Sequence, residues 1–178
     1  MPDLDRMPRD LHVALGGEGF RRRRRIALPL LTTDPEGFPR VALLTLGEVR
    51  ANSPDEIAVA VRAKSRTAFN LVRRGSATLL YMNRGLTASV QTKAGHGRAC
   101  SVDPERQVFP LHVLHVRIDR PDPREGDVEL LTGPTFAGPD ADALFSDTLF
   151  AELGAAFSAE ATARRPARSR PRRGVPAE

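Results

Sequence analysis

The chain has 178 residues, 40% of them hydrophobic, with one cysteine and a formal net charge of +5. That length suits a single domain with a proper core. No apolar run is long enough to span a bilayer, no signal-like apolar stretch opens the chain, and one cysteine closes no intramolecular disulfide, so the cytoplasm is the expected compartment.

The charge is unevenly placed. Ser158 to Glu178 carries six arginines against two glutamates, which accounts for +4 of the +5. The high isoelectric point is therefore a property of the tail and does not mark the body as nucleic-acid binding. Of 27 cationic residues 25 are arginine; Lys64 and Lys93 are the only lysines.

In chain order, residues 1–25 read as a short amphipathic helix, "PRDLHVAL", a glycine break and the run Arg21 to Arg25. "IALPLLTT" then has the length of a strand. Asp34, Pro35 and Gly37 follow the residue preferences of a type I turn, and "RVALLTLGEV" resumes as a second strand, making a hairpin. In "EIAVAVRA", Ile57, Val59 and Val61 share one face and Ala58, Ala60 and Arg62 the other. Either a ligand or another, closely packed strand fits over that small-residue face.

Ser65 to Arg74 reads as a helix with Ser65 as N-cap and Gly75 just past its end. Ala68, Phe69, Leu71 and Val72 form its apolar stripe. "SATLLYMN", "TASVQTKAGHGRA" and "VFPLHVLHVRI" follow as strands, and Pro110 argues for an edge or a bulge. "DVELLT" reads as a last short strand, and "DADALFSDTLFAELGAAF" as a helix with Leu144, Phe145, Leu149 and Leu153 on one side. The expected organisation is a lead-in over 1–25, one domain over 26–157 and a disordered Arg/Pro/Ala-rich tail over 158–178. Six or seven mostly antiparallel strands, a helix between strands and a C-terminal helix define a mainly β fold, a small barrel.

Lys64, Ser65, Arg66 and Thr67 stand together where that helix begins. A helix start attracts anions, and two cations there oppose the helix dipole unless an anion compensates. Arg40 opens the strand after the hairpin turn and Arg62 closes the next. If those strands are neighbours, both arginines lie near the helix start. His112 and His115, three apart on a straight strand, face opposite sides and do not share a metal. Cys100 has no clear activating partner.

"LPLLTTDPEGFPRVALLTLGEV…EIAVAVRAKSRTAFNLVRRGSATLLYM" resembles the pyridoxamine 5′-phosphate oxidase-like proteins, the flavin-binding split β-barrels, best from Leu28 to Met82. The resemblance implies a homodimer with FMN in clefts between subunits. It places Arg40, Val41, Ala42 and Leu43 toward the flavin and its phosphate, and Val61 and Arg62 along the ring or ribityl chain. Lys64, Ser65, Arg66 and Thr67 would hold the phosphate, with Gln91 as a further flavin partner. The tryptophan-bearing substrate motif of true pyridoxamine phosphate oxidases has no counterpart here, since the chain has no tryptophan. The implied activity is that of an FMN-dependent oxidoreductase of unspecified substrate. Two other readings stay open: a non-catalytic flavin or haem protein on the same barrel, and a basic nucleic-acid accessory protein relying on Arg21 to Arg25 and the tail.

Overall fold

The computed structural model describes residues 4–17, 25–120, 124, 126, 130–138 and 146–157. The elements are α1 (Arg9–Gly16), β1 (Ala27–Thr33), β2 (Pro39–Thr45), β3 (Val49–Ser53), β4 (Glu56–Arg62), α2 (Arg66–Arg74), β5 (Ser76–Asn83), β6 (Leu86–Ala94), β7 (Arg98–Ala99), β8 (Arg106–Asp119) and α3 (Asp147–Gly154). The sheet runs β2-β1-β5-β6-β8-β4-β3, every pair antiparallel, with β7 added on β8. It is a split β-barrel with flanking helices.

The β1–β2 turn forms as its residues dictate. Asp34 Oδ1 accepts from the Phe38 N–H at 2.8 Å, the Gly37 N–H donates to the Asp34 carbonyl at 3.1 Å, and Gly37 takes φ +95°. The following apolar run is not one strand. A 3-10 turn at Leu46–Glu48 interrupts it, because the Glu48 carboxylate reaches back inside the hydrophobic stretch to accept from the Thr45 N–H at 2.8 Å.

β8 is a central strand, flanked by β4 and β6, so the expectation of an edge position for Pro110 is overturned. The reason is local. Pro110 points its carbonyl at the Gly95 N–H (2.8 Å), in the gap after β6 pairing ends at Ala94 and before β7 pairs with β8. On that side no N–H is required of it.

Leu28, Leu30, Ile57, Val59, Leu79, Val90, Phe109 and Leu111 fill the barrel, and Leu11 and Leu15 of α1 join them. A second cluster lies outside, where Leu149, Leu153 and Ala156 pack on Ala58, Ala60, Cys100 and Val108. The small-residue face of β4 is thus covered by α3 and not by a ligand or by another strand as expected, because the small side chains Ala58 and Ala60 leave room for Leu149 and Leu153. Ser146 caps α3 through the Leu149 N–H (3.2 Å). Arg50 and Asn52 bond the Phe150 and Leu153 carbonyls, while Glu152 joins Arg98 and Ser101.

Leu144, Phe145, the first residues of "DVELLT", Arg21 to Arg24 and the tail lie outside the described residues. Within "DVELLT" the described part holds one isolated bridge, Thr132 to Asn83.

Candidate functional site

The site is built around α2. Ser65 Oγ accepts from the Ala68 N–H at 3.1 Å, which closes the helix start and leaves the serine's own O–H to donate. Gly75, at φ +64°, ends the helix with its N–H on the Leu71 carbonyl. The buried residues are Ala68, Asn70 and Leu71, whereas Phe69 and Val72 are 53% and 71% exposed. The expected apolar stripe is therefore rotated. Asn70 takes an inward position because its Nδ2 donates to Thr32 Oγ1 at 3.0 Å, so a polar residue faces the barrel and two apolar ones face out.

At the helix start, a cavity of about 330 Å³ is lined by Arg62, Ala63, Lys64, Pro104 and Glu105. The Ala63 N–H donates to the Glu105 carbonyl (2.8 Å) and the Ser65 N–H to the Arg62 carbonyl (3.0 Å), so the loop before β8 and the turn before α2 are sewn together. Arg106 braces that loop from behind, bonded to Asp103 at 2.9 Å and to Glu48. Arg62 and Glu105 stand 3.8 Å apart, both well exposed. Among the described residues, Lys64 and Arg66 have no ion pair, and the first turn of α2 contains no acidic residue. The N–H groups of Arg66 and Thr67 lack intrahelical acceptors. Two free cations, a hydroxyl and exposed N–H donors make a cradle for a phosphate-sized anion.

The other residues singled out from sequence are spread more widely. β2 and β4 are not neighbours; they lie toward opposite ends of the sheet, and α2 packs against both. Arg40 donates from Nε to Asp34 Oδ2 at 2.8 Å, at the hairpin turn whose carbonyls Arg74 of the last turn of α2 also grips. Burial would raise the Asp34 carboxyl, but the Phe38 N–H and the Arg40 guanidinium outweigh it and hold it below its ordinary value of 3.8. Val61 is buried in the barrel, so only its backbone is available. Ala42 packs partly inward, while Val41 and Leu43 stand 61% and 52% exposed on the outer sheet face. Gln91 lines a different cavity, of about 290 Å³, with Leu31, Thr33, Thr78 and Leu114.

A bulge in β8 opposite Gln91 and Thr92 changes the histidine geometry. Leu111 and Val116 both point into the core, so His112 and His115 both come to the outer surface. His112 sits edge-on to the Phe157 ring at 5.4 Å. Among the described residues no group of three metal-ligating side chains converges, and no helix is long and apolar enough to cross a membrane. Asn70, Asp34 and Glu105 were not legible as site-forming residues; only the asparagine's place in "SRTAFNL" hinted at a role.

No family model and no curated protein matches the chain. Solved structures do. HupZ from Group A Streptococcus is 14% identical, with 74% of this chain and 100% of that one covered at a TM-score of 0.50. A candidate pyridoxamine 5′-phosphate oxidase from Lactobacillus delbrueckii is 16% identical (66% and 99% covered, TM-score 0.49). HutZ, the heme storage protein from Vibrio cholerae, is 14% identical (57% and 90% covered, TM-score 0.44). At such identity the likeness to HupZ is one of fold alone.

Proposed function

We propose that this chain is a flavin-binding split-barrel protein that holds FMN by its phosphate at the start of α2 and works as an oxidoreductase. The observation that carries the reading is the pair of unpaired cations, Lys64 and Arg66, beside a serine-capped helix start. Lys64, Arg66 and the Ser65 and Thr67 hydroxyls would hold the phosphate, and Arg62 and the cavity beside it the adjoining polyol arm. When bound, the flavin supplies the electron-transfer chemistry; the chain's own residues bind it, orient it and neutralise its phosphate.

The homodimer belongs to the same proposal. Phe38, Val41, Leu43 and Leu114 are large apolar side chains 47% to 66% exposed, and Val41 lies opposite Leu31 across the β1–β2 pair. Burying that face against a second copy would remove it from water. It would also let the cavity at Gln91 of one copy approach the flavin of the other.

The visible spectrum of the purified protein, before and after adding FMN, tests the reading. Flavin bands, or quenching of FMN fluorescence with a stoichiometric endpoint, are expected. A protein that is colourless and indifferent to FMN overturns it, and a Soret band in place of flavin bands selects the haem alternative. Reduction of the bound flavin by a nicotinamide donor separates an oxidoreductase from a non-catalytic carrier.

A further inference from the structure

We propose that the groove at the far end of α2 is a second anion site, which takes a diphosphate-class ligand independently of the flavin. The groove has a volume of about 380 Å³. Its lining includes Arg73 and Arg74 from the last turn of α2, Lys93 from the end of β6, His96, and the backbone of Gly95 and Gly97. No carboxylate lines it.

Several cations elsewhere in the fold are balanced by carboxylates. Arg40 pairs with Asp34, Arg98 with Glu152, Arg106 with Glu48 and Asp103, and Arg120 with Asp10. In the groove no carboxylate does so. Arg74 spends one nitrogen on the Asp34 and Pro35 carbonyls, but the side chains of Arg73, Lys93 and His96 have no hydrogen bond or ion pair among the described residues. Cations in the last turn of a helix complement its dipole, and that accounts for Arg73 and Arg74. It does not account for Lys93 and His96, which arrive from another strand and the loop beyond it. The charges of Arg73, Arg74 and Lys93, converging without a counter-ion, repel one another, and a bound anion relieves the repulsion.

Gly75 brings its backbone close to Lys93, whose Nζ would lie 3.2 Å from a Cβ placed there. Gly97 lies flat on the Phe109 ring, where a Cβ would come within 2.5 Å. Cations arriving from two elements, Arg73 and Arg74 from α2 and Lys93 from β6, give a spread of donors that a diphosphate can bridge. Lys64 and Lys93, the only lysines in an arginine-dominated chain, mark the two ends of α2.

The test uses the full chain and inorganic pyrophosphate, titrated by calorimetry at low salt, with FMN titrated separately. Loss of the Arg73 and Lys93 contacts in R73A/K93A is expected to weaken pyrophosphate binding by about tenfold or more and to leave FMN binding intact. K64A/R66A is expected to do the reverse. Absence of pyrophosphate binding in the wild type at millimolar concentration overturns the proposal. So does binding lost in K64A/R66A but kept in R73A/K93A, which would place the anion at the helix start. Both target side chains are exposed, and far-UV circular dichroism checks that the variants fold. Should the double variant not fold, R73Q and K93M read singly give the same discrimination.

Discussion

Asn70 donates its side-chain amide to the Thr32 hydroxyl at 3.0 Å, with both residues buried to within a few per cent. Together with the buried Ala68 and Leu71, this bond fixes the rotation of α2 on the barrel. That rotation leaves Lys64 and Arg66 flanking an open helix start and turns Phe69 and Val72 outward.

Replacing Asn70 with alanine strands the Thr32 hydroxyl in the core. The expected cost is about 1–3 kcal/mol, read as a lowered midpoint in chemical denaturation. Asn70→Asp, which keeps the shape but adds a buried charge, is expected to be at least as costly.

Removing the charge of Arg66 is expected to weaken FMN binding about tenfold, and K64A/R66A further, as measured by fluorescence quenching. Arg9→Ala, an exposed change on α1, is the control and is expected to have no effect. Equal losses in Arg66→Ala and Arg9→Ala would contradict the cradle.

Asp34 carries a pH signature. Its carboxyl is held below the ordinary 3.8 in the folded state, so the stability it contributes is fully present above that value. It is lost as pH falls through the lower folded value. Asp34→Asn is therefore expected to destabilise the protein at pH 7 and to differ progressively less from wild type below pH 4. A stability gap unchanged between pH 7 and pH 3 would count against the role given to the carboxylate.

Glu152 ties α3 to the barrel through Ser101 and Arg98, and these bonds, the serine's foremost, pull its carboxyl below its ordinary value despite burial. Cys100 lies 3% exposed beneath that helix. Glu152→Ala is expected to speed the reaction of Cys100 with a thiol reagent while the barrel stays folded. A rate identical to wild type would mean that the apolar contacts of Leu149 and Leu153 hold the helix alone.

Gly97→Ala is expected to destabilise by about 1–3 kcal/mol, since the new methyl meets the Phe109 ring at 2.5 Å. A smaller partner, Phe109→Leu, should recover part of that loss in the double variant if the clash is the cause.

Features determined by a few adjacent residues were legible in the sequence. The Asp34–Gly37 turn and the Ser65 and Gly75 caps are of this kind, as is the cluster of Lys64, Ser65, Arg66 and Thr67. Features set by distant partners were not. Whether Pro110 sits at an edge depends on where β6 stops, and which face of α2 turns inward depends on Thr32, 38 positions away. The occupant of the Ala58 and Ala60 face is a helix some ninety residues downstream. The wall of the candidate site formed by Pro104 and Glu105 was hidden for the same reason: nothing near Arg62 in sequence announces it.

β4 is paired on both sides, by β3 and β8, and its side chains are covered on both faces, by the barrel interior and by α3. Its amides should therefore be among the slowest to exchange with solvent. Its inner face can close as soon as β8 is in place, but its outer face waits for residues 147–157. During synthesis, then, the barrel should exist for a time with Ala58, Ala60 and Cys100 bare to water, and that interval is when this chain is most exposed to oxidation and to unwanted association.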